Sequence, residues 1–404
     1  MPKFKAGAAQ IDITPRELGL RMGGHAVNRR SVGVHDPLFG HALAMQCGNG
    51  PPFVIVSLDL IGLMHGFVEE IRCRVPRVDP DRLWICTTHS HDSPDTIGFW
   101  GPMVAEVPLG SGLNMKYMEF LFQRAVELIN SALDDLRPAR LRAASVQAPR
   151  QGWTRNVRQE SLKDDTIEIL QVTGVDRSVI ATMYHYACHP EFMGHSHRRL
   201  SAGWPGFTNR LLRDRYGGVA FLLQNALGGM VTGAVSRDDG AFDPQQGQPF
   251  TPRLGRWVGE AIAGALADAK PVRVDAIRVA RRVFDAEVAN WRFQLAGRMG
   301  VFPRWMLDRK RNTVRTEIAL ARLGGLALVT LPGEALPEVG FAFKEKLRAH
   351  HPWTISLGND ELGYLLSTSA WNDPRYEYER SMSIGPDIVP ELERHFDALA
   401  QEVG

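Results

Sequence analysis

Phe53-Val54-Ile55-Val56-Ser57-Leu58-Asp59 and, a helix-length later, Leu83-Trp84-Ile85-Cys86 decide the fold. Both runs are short, apolar and rich in β-branched or aromatic residues, which is the pattern of a buried strand. Residues 66–75 between them read as a helix, so the three make a β-α-β unit. Outward from this unit, strand-like and helix-like stretches alternate. The fold class is therefore α/β, a central mixed β-sheet flanked by helices. Residues 115–136 read as a long amphipathic helix stopped by Arg137-Pro138. Residues 166–173 and 179–187 read as strands around the turn Gly174-Val175-Asp176. Residues 316–323 and 326–331 flank Gly324-Gly325, a strong hairpin signal. Residues 253–269 read as a closely packed helix of small residues. The Gly-, Pro-, Gln- and Asp-rich segment 233–252 reads as a long loop of the kind that serves as a lid. No linker divides the chain, so residues 1–404 read as one domain.

The chain has 404 residues and 44% hydrophobic content, enough for a large core. Its 47 basic and 45 acidic residues leave a formal charge of +2. That balance points to no nucleic-acid partner and no membrane partner. No apolar run approaches the length of a membrane-spanning helix, and no signal peptide is read at the N-terminus. The widely spaced Cys47, Cys73, Cys86 and Cys188, with no CxxC, read as buried free thiols in a cytoplasmic protein. A Cys188 nucleophile beside His189 is disfavoured, because neighbours in sequence rarely aim at each other.

The most informative chemistry follows the second strand, in Thr87-Thr88-His89-Ser90-His91-Asp92. In a continued strand, residues two apart point the same way, so both imidazoles would face one cleft. Neutral imidazole is a common metal ligand. A second site is Tyr184-His185-Tyr186-Ala187-Cys188-His189-Pro190. Proline ends that strand and presents His189 at its tip, while His185 lies deeper and also reads as a core histidine. A third is Leu331-Pro332-Gly333-Glu334, where Glu334 reads either as a ligand at a strand end or as an acid beside a helix N-terminus. A fourth is Asn359-Asp360-Glu361-Leu362-Gly363-Tyr364, which also reads as a turn followed by a packed aromatic.

Taken together, these motifs resemble the N-terminal catalytic domain of the neutral, non-lysosomal ceramidase family. Ala6-Gly7-Ala8-Ala9-Gln10-Ile11-Asp12-Ile13-Thr14-Pro15 resembles the family's opening, and Gly33-Val34-His35-Asp36-Pro37-Leu38 a later stretch. Thr88-His89-Ser90-His91, His189-Pro190, Pro332-Gly333-Glu334, Asn359 to Tyr364, and Tyr376-Glu377 follow in family order. The resemblance implies a metal site at strand ends, with one zinc per chain bound by His89, His189, Glu334 and Tyr364. It implies that His91 stabilises a tetrahedral intermediate, helped by Arg158 or by the neighbouring Arg155. A catalytic zinc lowers the pKa of its water to about 7 and polarises a carbonyl. Iron or manganese also suits such an N/O donor set.

The sequence also departs from the family. Asn225 falls near the position of the family's assigned serine nucleophile. Gly229 and Gly203 stand where relatives carry aspartates. Metal-activated water is thus the expected nucleophile, and Asn225 a residue of an altered substrate pocket. Trp291 and Trp305, in two aromatic stretches interleaved with arginines, read either as parts of a packed helix or as a lid over the substrate. The C-terminal β domain of full-length ceramidases has no counterpart before Gly404. The expected substrate is a small N-acyl compound cleaved at its amide bond, with an ester or lactone as the alternative bond and an inactive ligand-binding homologue as the alternative role.

Overall fold

The computed structural model describes residues 4–104, 107–149, 153–191, 194, 196–232 and 250–403. The first strands are β1 (Phe4–Asp12), β2 (Phe39–Cys47) and β3 (Phe53–Leu58). Helix α1 (His65–Cys73) then leads to β4 (Leu83–Thr87), which pairs parallel to β3. This is the β-α-β unit read from the sequence. Helix α2 (Met115–Asp134) ends just before Arg137-Pro138, as expected, but those two residues open strand β5 (Arg137–Gln147). Pro138 is tolerated there because β5 meets β1 through only two residue pairs, Lys5–Pro138 and Ala6–Arg137. Strands β6 (Thr166–Gly174) and β7 (Val179–Tyr186) form the expected antiparallel pair. Helix α3 (Trp204–Tyr216) leads to β8 (Val219–Gln224), parallel to β7. The strands run β8-β7-β6-β5-β1-β2-β3-β4, with the short strand Lys270–Val272 also on β5.

Helix α4 (Phe250–Leu266) covers the helix predicted at 253–269 except its last three residues, which form a turn and its exit. Residues 233–249 of the expected lid lie outside the described residues. A second sheet follows, made of β9 (Ile277–Glu287), β10 (Thr313–Leu323), β11 (Leu326–Leu331) and β12 (His351–Ser356). Helix α5 (Trp291–Arg298) interrupts it after β9, and α6 (Pro337–Leu347) crosses from β11 to its parallel neighbour β12. The hairpin at Gly324-Gly325 is present, with Gly324 at φ +60°. Helix α7 (Ile388–Val403) closes the chain's described part.

Strand alternation sorts the side chains into three cores. Leu43, Phe53, Ile55 and Trp84 point inward, as do Leu170, Met183 and Phe221 from the other half of the large sheet and Ala319, Leu328 and Trp353 from the second sheet. Their neighbours Ala42, Val54, Val56, Ile318 and Val329 point outward beneath α1, α2, α6 and α7. Ile167, Ile169, Tyr184 and Leu222 point outward beneath α3 and α4. The large sheet therefore folds back on itself: Ser57 Oγ of β3 donates to the Leu222 carbonyl of β8 at 2.6 Å. This brings the carboxyl ends of β4, β7, β8, β11 and β12 to one end of the molecule, where α/β folds place ligands. Among the described residues, no helix is long and apolar enough to cross a membrane.

Cys86 and Cys188 are buried thiols as expected, but Cys47 is half-buried and Cys73 exposed. Burial holds the Cys188 thiol well above its usual pKa, which removes it as a nucleophile.

Candidate metal centre

β4 ends at Thr87, before the two histidines. His89 then takes a left-handed backbone, φ 65°, a conformation that non-glycine residues other than Asn and Asp adopt rarely. The HxH rings do meet, with centroids 4.8 Å apart, but a turned loop brings them together rather than strand alternation. His189 lies three residues past the end of β7, and its ring is 5.0 Å from His89 and 5.5 Å from His91. Each of the three histidines offers a ring nitrogen within 4.8 Å of the others. His185 lies elsewhere: it stacks on Trp353 at 4.9 Å and bonds the Thr354 carbonyl at 2.8 Å, a core histidine.

Glu334 follows the end of β11. It is not in the first turn of α6, which begins at Pro337. Glu334-Ala335 instead pairs in parallel with Tyr364-Leu365, which sets Glu334 directly beside Tyr364. The Tyr364 hydroxyl faces the Glu334 carboxylate closely enough to help lower its pKa. Both His89 Nε2 and His189 Nε2 point at that carboxylate, at 3.5 and 3.0 Å. Behind them, His89 Nδ1 bonds the Ile61 carbonyl at 2.6 Å and His189 Nδ1 the Met230 carbonyl at 3.0 Å. A carbonyl accepts only, so each Nδ1 carries a proton and each Nε2 is the nitrogen turned towards the Glu334 carboxylate. Such outer contacts are how proteins aim ligating histidines.

The electrostatics match this arrangement. Burial lowers the His89 pKa to about 4 against the pull of Glu334. Burial also opposes charge on His189, but its hydrogen bond to Glu334 and that carboxylate's charge push it up to about 9. A proton thus stands between His189 and Glu334, where a metal's charge would fall. His91 is held neutral by burial and by His89, and among the described residues neither of its ring nitrogens has a hydrogen-bond partner. Burial, then the Glu334 charge, raises the Tyr364 phenol well above its usual value. These residues fit a zinc ion on their donor chemistry: two aimed imidazoles, a carboxylate and a phenol, with a third imidazole adjacent.

Arg158 bonds the buried Glu379 at 2.7 Å. Glu379 follows Tyr378, whose ring meets Tyr364 at 5.9 Å. Arg158 is thereby tied to the rim of the centre, whereas Arg155 is exposed. Asn225 is engaged elsewhere, donating to Asp164 at 2.8 Å and accepting from Thr354 at 3.0 Å. Trp291 and Trp305 are 64% and 56% exposed, and it is Phe293, Phe302 and Met306 of the same stretches that turn inward.

Several residues that build the centre have no reading from sequence. Gln224, at the end of β8, donates to the carbonyls of Thr88 and Cys188 at 2.7 and 3.2 Å, tying both histidine loops together. Buried Arg29 pairs with Asp92 at 3.0 Å and bonds the carbonyls of Gly23 and His91. His25 meets His91 edge-on at 5.1 Å. The run Gly23-Gly24-His25 held a usable signal, since paired glycines mark close backbone approach. A Cβ on Gly24 would lie 2.4 Å from His91 Cγ. A second cluster, His65, Glu69 and Glu317, also has metal-binding composition. There Arg72 and Arg281 already reach Glu317 at 2.6 and 2.9 Å, so it is an ion-pair network that leaves a cation little to gain.

No protein-family model matches the sequence, and no curated protein matches it. Solved structures do match. Neutral ceramidase from Pseudomonas aeruginosa superposes with a TM-score of 0.79 at 16% identity, over 98% of this chain and 74% of that one. A ceramidase complexed with C2 gives a TM-score of 0.79 at 15% identity, with the same coverage of both chains. At such identity the likeness is one of fold, and over nearly its whole length the chain has the ceramidase fold.

Proposed function

We propose that the chain is a zinc-dependent hydrolase that cleaves the amide bond of a small N-acyl compound. One observation carries the reading. Two imidazoles, each anchored through Nδ1 on a backbone carbonyl, aim Nε2 at one buried carboxylate. In this reading His89, His189, Glu334 and Tyr364 hold one zinc. When bound, zinc supplies an acidified water and polarises the scissile carbonyl.

The chain's own residues do the rest. Neutral His91 has one N–H to give, and gives it to the oxygen that gains charge as the carbonyl is attacked. Arg158 adds positive charge at the rim while Glu379 fixes its position. Burial of His89, His189 and Glu334, with His91 half-buried beside them, limits bulk water and strengthens each of these interactions. Asn225 has no role as a nucleophile here, because an amide is not one.

The test is the metal content of protein purified without added metal, read by elemental mass spectrometry beside His189→Ala. About one zinc per chain in the wild type, lost in the variant together with hydrolysis of N-acyl amides, is the expected result. A chain that takes up no transition metal when zinc is offered would overturn the reading. Matched acyl esters, assayed in parallel, decide which bond is preferred.

A further inference from the structure

We infer that the cavity where α1 meets β9 and β10 binds a small organic cation, a protonated amine on an aryl or short alkyl body, with Asp360 as its counter-charge and Trp305 as its wall. The site is independent of the hydrolase reading, since none of the four proposed metal ligands lines this cavity.

The cavity has a volume of about 290 Å³, close to the smallest of small-molecule sites. It lies between the first turn of α1, the outer strands β9 and β10, the loop carrying Trp305 and Met306, and Asp360 beyond β12. The indole is a fixed wall. It rests on Gly66, where a Cβ would lie 1.7 Å from ring atom Cζ3, and it meets Phe67 edge-on at 5.3 Å. Trp305 and Val283 are nonetheless exposed, so the cavity is reached from solvent.

Asp360 supplies the chemistry. Its side chain is 1% exposed, and Oδ1 accepts from the His65 and Glu361 amides at 2.7 and 2.8 Å. Among the described residues, Oδ2 has no hydrogen-bond partner. Burial pushes the Asp360 pKa up to about 7, and the Thr316 hydroxyl and the two amides offset this only in part. A carboxylate buried without a counter-charge costs free energy that a bound cation recovers.

The surrounding charges favour a cation over an anion. Arg72 and Arg281 are engaged by Glu69 and Glu317, Arg281 also by Asp81, and Arg315 at the rim by Asp285. With Asp360, five carboxyls stand against three guanidinium groups, and burial lowers the His65 pKa, which keeps that ring neutral. A metal ion would need the Glu69 and Glu317 oxygens that the guanidinium groups already hold. An organic cation needs only the free oxygen of Asp360, and its body packs against the indole and the Met64 and Met306 thioethers.

The test is isothermal titration calorimetry with three probes of one shape: 2-phenylethylamine, 2-phenylethanol and phenylacetate. The protonated amine is expected to bind, and the alcohol and the anion to bind more weakly by about tenfold or more, the worth of one hydrogen bond to a charged group. Asp360→Asn keeps an acceptor for the two amides and removes the charge, and should weaken amine binding by a similar factor. Trp305→Leu, an exposed change, should weaken it about five-fold through the lost cation–ring attraction. His189→Ala should bind the amine as the wild type does, which separates this cavity from an amine held at the metal centre. Thermal unfolding of each variant checks that the fold is retained, and if Asp360→Asn does not fold, Trp305→Leu decides. No binding of the amine, equal affinity for amine and alcohol, undiminished binding by the folded variants at Asp360 or Trp305, or loss of binding in His189→Ala would each overturn the site.

Discussion

Glu334 and Tyr364 oppose each other across a two-residue parallel bridge, so the carboxylate and the phenol leave the backbone on the same side. Neither side chain depends on a mobile loop for its position. Glu334→Gln keeps the bridge and the shape but removes the charge that both Nε2 atoms face. Zinc affinity, read by competition with a chromophoric chelator, should fall by more than about tenfold, the usual loss for even a supporting residue. Unchanged affinity would remove Glu334 from the donor set.

Tyr364→Phe preserves the ring contact with Tyr378 and deletes only the hydroxyl. Stability should change by no more than about 1 kcal/mol, the net worth of one hydrogen bond. Zinc affinity should fall, but less than in Glu334→Gln. If chelator competition ranks the two variants the other way, the phenol is the stronger ligand.

His185 predicts a pH dependence away from the metal. Burial first, then the charge of Lys344, holds its pKa at about 3 despite the Thr354 carbonyl. The unfolded chain takes up this proton near pH 6.5 and the folded chain does not. Stability is therefore lost as pH falls from about 6.5 towards 3, by about 2 kcal/mol between pH 7 and 5. His185→Gln should flatten that slope in urea unfolding at the two pH values. His41, stacked on Phe221 and held at about 3 by burial, contributes in the same direction and remains in the variant.

Two glycines with positive φ separate backbone strain from crowding. Gly24, at φ +95°, has His91 Cα 2.5 Å from where a Cβ would sit, whereas Gly19, at φ +86°, has nothing within 4 Å. Gly19→Ala should cost about 1 kcal/mol, from backbone strain. Gly24→Ala should cost about 2 kcal/mol or more and displace His91. Thermal unfolding and turnover of both variants check this: equal effects would mean that the glycine beside His91 is not needed for packing.

Glu317 is fully buried between Arg72 and Arg281. Glu317→Gln leaves two guanidinium groups short of a counter-charge and should cost about 3–5 kcal/mol in chemical denaturation. Stabilisation of the wild type, and not of this variant, by added divalent metal would reopen the cluster as a cation site.

Elements built from local pattern were legible in the sequence. The strands at 53–58 and 83–87 and the hairpin at Gly324 follow from short-range periodicity and turn chemistry. The strand starting at Arg137 was not legible, because a proline that stops a helix gives no sign that a short pairing will accept it. At the centre, the resemblance named Glu334 and Tyr364, but nothing local foretold that the two would pair. The HxH spacing predicts strand neighbours, yet a left-handed turn joins His89 and His91. Arg29 and Gln224 act by bonding carbonyls of distant loops, and carbonyls carry no residue identity for a pattern to reveal. Trp291 and Trp305 drew attention by size, whereas the inward positions belong to Phe293 and Phe302, since alternation around a short helix and its loop decides which side is covered.

The hydrogen bond from His189 to Glu334 spans 145 residues of chain. Contacts of such separation close late, after shorter loops have formed. The donors are therefore gathered only once both sheets and the crossover helix between β11 and β12 have docked. A metal on the proposed donor set would therefore arrive at a finished cage and would not nucleate the fold. Refolding speed and metal uptake would then be separate properties of this chain, with a chelator lowering occupancy and leaving the refolding rate unchanged.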